Sequence, residues 1–280
     1  MTSIEARGLT RRFGDVVAVD ALSFGVEGGE VVGLLGANGA GKTTTMRMLL
    51  GLLAPTAGEA LVGEIPVSEV DRRSMGYVPQ GLGLYPDLTV TENVAFAAAS
   101  FGVPSPSLAE AGLDHIADMR IGDVSLGMRR RVAFLVARCH RPAVLILDEP
   151  TSGVGPLGRA RLWETIRQSA EAGTAVLVST HHMEEAEECD RVVLMAAGSK
   201  VAEGSVGDVI GQARTVVVAG DMTTETLAAI GDQGGTILST GSGWRIVGLD
   251  VDGVRRVVGA EARVDEVPAT FEEAFVALSR

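Results

Sequence analysis

Residues 30–50 read EVVGLLGANGAGKTTTMRMLL. The short apolar run VVGLL has no polar interruption, which marks a strand buried on both faces of a parallel sheet. A glycine-rich turn, GANGAGKT at 36–43, follows it, and then a stretch with apolar residues at helical spacing. The turn fits G-x-x-x-x-G-K-[ST] in the strand-to-helix context that a phosphate loop requires. Backbone N–H groups of such a loop point inward and cradle phosphate oxygens. Gly36, Gly39 and Gly41 permit the tight backbone and its close approach to a ligand. The binding surface is expected to run through Gly36, Ala37, Asn38, Gly39, Ala40, Gly41, Lys42, Thr43 and Thr44. Lys42 would bring a point charge to the β- and γ-phosphates, and the Thr43 hydroxyl would ligate Mg²⁺. Lys42 and Lys200 are the only lysines among 24 basic residues, so arginine does the general surface work of this chain.

The pattern continues outward from this stretch. PAVLILDEP and TAVLVSTHH read as further buried strands. MRRRVAFLVARCH and LGRARLWETIRQSAEAG read as helices, and PDLTVTENVAFAAASFG as a helix with a Thr cap and a Glu behind it. LAEAGLDHIADM (108–119) and MEEAEEC (183–189) read as short helices, and DRVVLMAAGSKVAEG as a hairpin. Buried strands alternating with helices predict an α/β fold with a mainly parallel sheet. Composition shifts near residue 210. From there TVVVAG, TETLAAIGD, TILSTG, WRIVGLD, DGVRRVVGA and ARVDEVP give β-α-β-β-α-β, the ferredoxin-like order, and a helix, TFEEAFVALSR, follows. The reading is therefore a large domain over 1–210 and a small α+β module over 211–280, regulatory or dimerising, with no catalytic constellation of its own.

The 280 residues suffice for that arrangement. The hydrophobic fraction of 46% is high, yet no apolar run reaches the ~18–20 residues of a membrane helix. The N-terminal residues lack an apolar signal region, so a cytosolic location is expected. A net charge of −12 argues against a nucleic-acid partner. Two distant cysteines, Cys139 and Cys189, offer no disulfide framework or cysteine-rich metal site. The adjacent His181 and His182 are poorly spaced for two ligands on one helix face.

Other residues extend the chemistry of the loop. VLILDEP ends in two acids. After a phosphate loop, Asp148 is read as holding Mg²⁺, and Glu149 as orienting or deprotonating an attacking water. A histidine ending VSTHH can hydrogen-bond a γ-phosphate beyond the sheet's carboxyl edge, or can cap the next turn in solvent. Gln80, in YVPQ, reads by itself as a surface glutamine.

In their joint order these motifs resemble the nucleotide-binding subunit of ATP-binding-cassette transporters over residues 4–210. The match takes in the phosphate loop, Gln80, a signature region at Val124–Arg129, the strand Val144–Asp148 with Glu149 next, the DEPTSG run and His181. The resemblance implies an ABC-type P-loop NTPase fold, with ATP and Mg²⁺ as cofactors. It gives catalytic roles to Glu149, His181 and Gln80, and Mg²⁺ contacts to Thr43, Gln80 and Asp148. It also puts Phe13 where an aromatic stacks on adenine, with a plain core position as the alternative. Ser125 and Gly127 would contact nucleotide bound to a second ATP-binding subunit, in a homo- or heterodimer. A separate transmembrane permease would be the other partner, so the protein would lie peripherally on the inner face of the membrane. LTRRFGDVVAVD, YPDLTVTENV, GMRRR and STHHMEEAEECDR resemble, more narrowly, the drug-resistance-type bacterial exporters. Other readings are a soluble ATPase of the same superfamily and a regulatory subunit with little turnover.

Three departures stand out. Leu126 replaces a signature glycine and is expected to resist a left-handed backbone there; Met128 replaces the signature glutamine. Gly155 stands where the family carries an aspartate. The segment between Gln80 and Ser125 is short. The residues that act on the chain's own nucleotide are all present, and the departures cluster in what it would offer across a dimer interface.

Overall fold

The computed structural model describes residues 4–241, 243–259 and 261–279. Strands β1 (Ile4–Phe13) and β2 (Val16–Val26) form a hairpin, and β3 (Val31–Leu35) leads into the glycine loop and α1 (Lys42–Leu49). β4 (Ala57–Val62) and β5 (Ile65–Pro66) complete an antiparallel sheet of order β2-β1-β4-β5. Next come β6 (Met75–Val78), α2 (Val90–Phe101), α3 (Leu126–Arg138), β7 (Val144–Asp148), α4 (Pro156–Glu171), β8 (Ala175–Thr180), β9 (Arg191–Ala196), β10 (Ser199–Gly204) and α5 (Val206–Gly211). β6, β7, β8, β3 and β9 pair in parallel, with β10 antiparallel at the edge.

The expected buried strands are found. Every residue of β3, β7 and β8 is buried, as a sheet covered on both faces requires. One face packs with β1, β2, β4 and α1, and the other with α3 and α4. α2 starts as the sequence predicts: Thr89 accepts from the Glu92 N–H while Glu92 reaches back to the Thr89 N–H.

The chain then runs through β11 (Thr215–Ala219), α6 (Thr224–Asp232), β12 (Thr236–Thr240), β13 (Gly243–Val247), α7 (Val251–Val258), β14 (Val264–Val267) and α8 (Phe271–Leu278). These four strands form an all-antiparallel sheet, β12-β13-β11-β14, around a core of its own. That is the strand order of a ferredoxin-like β-α-β-β-α-β unit. α8 joins it to the larger sheet's layer. Glu273 of α8 takes two hydrogen bonds from the Arg245 guanidinium of β13, at 2.5 and 2.9 Å. Ala274, Phe271, Phe275 and Leu278 pack in the cluster that includes Val206 and Val209 of α5.

One local expectation fails. Residues 108–119 form turns with one 3₁₀ turn at Asp114–Ile116 and no α-helix. Gly112 takes a left-handed conformation (φ 61°) that ends any helical run there. Residues 183–188 form the expected short helix, of 3₁₀ type.

Candidate active site

Four loops meet at the carboxyl edge of neighbouring strands β3, β8, β7 and β6, where ligands bind in open α/β sheets. β3 supplies the glycine loop. Its turn needs glycine at two places for distinct reasons. A Cβ at Gly36 would lie 2.5 Å from the Met195 carbonyl oxygen, and Gly41 combines φ 102° with only 2.6 Å to the Ala18 oxygen. Gly41 caps α1 without a side-chain hydrogen bond, so the first N–H groups of that helix face the loop's concavity. Lys42 is buried, with its Nζ on the carbonyls of Gly36 (2.6 Å) and Ala37 (3.1 Å). Burial pushes its pKa down, and the charges of Glu149 and Asp148 oppose that shift.

β7 supplies the acids. Asp148 is buried and accepts from the Thr43 hydroxyl at 3.0 Å and from the Ser179 hydroxyl at 2.6 Å. The phosphate loop and the β7 acid are thereby joined directly. Glu149 takes a left-handed backbone (φ 49°), a conformation that costs a non-glycine residue ~1–3 kcal/mol unless its surroundings hold it. Three contacts hold it here. Its N–H donates to the Ser179 hydroxyl (3.0 Å) and carbonyl (3.2 Å), and its carbonyl accepts from buried Arg130 at 3.0 Å. Its carboxylate is 3.1 Å from His181 Nδ1 and 3.4 Å from Gln80 Nε2. Neither Ser179 nor Arg130 stands out in the sequence. The only available signal is that the apolar run of β8 gives way to Ser179 and Thr180 just before His181.

Thus Lys42, Thr43, Asp148, Glu149, Gln80 and His181 come together. Gln80 meets Glu149 and not the Thr43–Asp148 pair. Phe13 ends β1 at the surface, 47% exposed, with the Arg11 guanidinium 4.6 Å from its ring centre; the core alternative does not apply. Ser125 and Gly127 lie apart at the start of α3. Ser125 is the exposed N-cap, and its hydroxyl makes no capping hydrogen bond. The expected backbone conflict at Leu126 is absent. Leu126 is the first residue of α3 and lies outside the left-handed region. Its side chain folds over Gly153, with Cδ2 2.8 Å from where a Gly153 Cβ would stand.

The donors suit Mg²⁺. A hydroxyl and a carboxylate, both hard oxygen ligands, sit side by side, which is the sparse protein set that ion accepts when phosphates complete its shell. Among the described residues no group of three or more His, Cys, Asp or Glu side chains is placed to hold a metal by itself.

The sequence profile described as ABC transporter matches residues 19–152. The Nod factor export ATP-binding protein I of Burkholderia lata is 44% identical over 214 residues, 72% of this chain and 70% of that one. The chain belongs to the ABC transporter family, among its ATP-binding subunits. The probable multidrug ABC transporter ATP-binding protein YbhF of Escherichia coli is 42% identical over 222 residues. That match takes in 75% of this ABC chain but only 38% of YbhF. A solved structure of an ATP binding subunit of an ABC transporter superposes with a TM-score of 0.69 at 29% identity, over 75% of this chain and 92% of that one. Among the described residues no helix is long and apolar enough to cross a membrane.

Proposed function

We propose that this ABC chain binds and hydrolyses ATP as the motor subunit of an exporter, closing on a second ATP-binding subunit and driving a separate membrane permease. One observation carries the catalytic part. Glu149 lies just past Asp148, its carboxylate within hydrogen-bond reach of both His181 and Gln80. That is the arrangement of a base whose orientation is fixed by neighbours. The phosphate loop and Lys42 position the nucleotide, and Asp148 and Thr43 would hold Mg²⁺, which supplies charge neutralisation on the phosphates. Glu149 then accepts a proton from the attacking water, and His181 sits where it can sense the γ-phosphate. The names of the relatives support export. A surface pair supports the membrane partner: Tyr85 and Phe96, about half exposed, meet edge-to-face at 5.2 Å. Asn93 rigidifies that corner, accepting from the Tyr85 N–H and donating to the Tyr85 carbonyl.

A specific pair of residues favours one refinement. Ser125 is free for a partner's nucleotide, but Leu126 and Gly155 alter the surface beside it, so the chain offers its partner a weakened half-site while keeping its own. The first test is ATP turnover by the purified protein beside Glu149→Gln. Turnover is expected to fall ~10²–10⁴-fold, with ATP binding retained and an ATP-dependent dimer accumulating. Undiminished turnover in Glu149→Gln refutes the assignment.

A further inference from the structure

We propose that the groove between the C-terminal half of α3 and the 103–113 segment binds an amphipathic organic anion, a carboxylate or phosphate monoester carrying an apolar body. The groove holds about 900 Å³, at the upper end of the ~300–1,000 Å³ typical of small-molecule sites. None of its lining residues belongs to the ATP site. Arg131, Phe134, Leu135 and Arg138 form one wall, spaced i, i+3, i+4, i+7 along one face of α3. The opposite rim is the proline-broken stretch 103–107, and no α-helix forms between Phe101 and Leu126 to cover that face. Leu162 of α4 adds to the apolar lining.

The charge is what calls for an anion. On a chain of net charge −12, this groove is lined by Arg131, Arg138 and Arg141 against a single carboxylate, Glu110. Arg131 gives one Nη to the Ala111 carbonyl (2.6 Å), and the charged side chain that bears on it is another cation, Arg161. Arg138 is half-buried and its guanidinium makes no hydrogen bond or ion pair among the described residues; burial pushes its pKa down with nothing to offset it. A half-buried guanidinium without a counter-charge is free to take one up, and its planar fork matches carboxylate and phosphate oxygens in pairs. The accessible apolar lining of Val103, Pro104, Pro106 and Leu135, backed by buried Phe134 and Leu162, selects an anion with a hydrocarbon body over inorganic phosphate.

The test is calorimetric titration of the full chain with octyl phosphate and with decanoate, below their micellar concentrations and with ATP and Mg²⁺ saturating, so that the phosphate loop is filled. One saturable site per chain is expected for both anions. Octanol and inorganic phosphate should bind at least tenfold more weakly. Arg138→Gln and, separately, Arg131→Gln should weaken both anions at least tenfold while the proteins stay folded and bind ATP as the wild type does. Absence of saturable binding, equal binding of octanol, or an unchanged affinity in both folded variants overturns the proposal.

Discussion

Replacing Ser179 by Ala tests whether the acids at the end of β7 are held in place by β8. Ser179 is fully buried and its hydroxyl has two tasks: it donates to Asp148 at 2.6 Å and accepts the Glu149 N–H at 3.0 Å. The first bond goes to a charged carboxylate, a class that contributes ~1.5–3 kcal/mol, and the second to a neutral amide, ~0.5–1.5 kcal/mol. Glu149 N–H keeps the Ser179 carbonyl at 3.2 Å, so most of the loss falls on Asp148, which retains only Thr43. If ~1.5–3 kcal/mol of that loss reaches the transition state, kcat falls ~10- to 160-fold at about 1.36 kcal/mol per decade. The glycine loop and Lys42 are untouched, so KM for ATP should stay within about threefold, a kcat-only loss being the mark of an interaction made in the transition state. Any part spent on folding lowers the thermal midpoint by ~2–4 °C per kcal/mol for a chain approaching this size. Ser179→Cys separates hydrogen bonding from packing, because it fills the same space with a much weaker donor. Steady-state ATPase kinetics and thermal unfolding of wild type and both variants decide the matter. Wild-type kcat in Ser179→Ala, or full restoration by Cys, would refute the reasoning.

Gly36→Ala places a methyl 2.5 Å from the Met195 carbonyl and should abolish nucleotide binding in an equilibrium assay. It should also destabilise the fold by ~1–3 kcal/mol through overpacking. The pair Leu126→Gly and Gly155→Asp should raise ATP turnover in the dimer. Gly155 has extended backbone (φ −66°) and nothing within 4 Å of its Cβ position, so Asp fits there as an N-cap; unchanged turnover refutes the weakened half-site. Burial pushes Glu273 up, but hydrogen bonds from Arg245 and the Thr270 N–H outweigh it, and its net pKa lies below the usual 4.5. A depressed folded pKa means that its stabilisation is present above the unfolded value and lost as pH falls through the folded one. Unfolding midpoints should therefore drop below about pH 4.5, and Arg245→Gln should flatten that dependence; equal slopes would show that the pair does not carry it.

Much of the large sheet is legible in the sequence because a strand covered on both faces can only be apolar. EVVGLLG, PAVLILDEP and TAVLVSTHH say so directly, and topology then forces their carboxyl ends together. The four-strand order of the C-terminal sheet follows equally from the alternation of its elements. Two kinds of feature escape. Residues 108–119 have helical spacing, but Gly112 in the left-handed region breaks the run, and Leu113 and Ile116 reach the cluster they share with α2 and α3 from turns instead. The docking of α8 onto α5 is a tertiary fact, since an amphipathic octamer does not name its partner.

Leu126 shows why a motif departure must be weighed in three dimensions. Read as a string, leucine in place of glycine suggests a backbone that cannot form and a side chain thrust at a phosphate. In the fold the position is the first turn of α3, where any L-residue fits, and the side chain lies over Gly153 instead. Gly153 has φ 75° and no Cβ, and that vacant space is what receives Cδ2. The Ser125 hydroxyl remains unengaged at the helix start, where N–H groups and dipole favour an anion. The substitution therefore trades signature glycine for packing against the 152–155 turn, the same turn that ends at Gly155. The two departures are neighbours through Leu126 and Gly153, so their effects on turnover should be non-additive. In a double-mutant cycle, Leu126→Gly frees that turn and Gly155→Asp then uses it. A strictly additive result would mean that the turn does not move and that each residue acts on the partner's nucleotide independently.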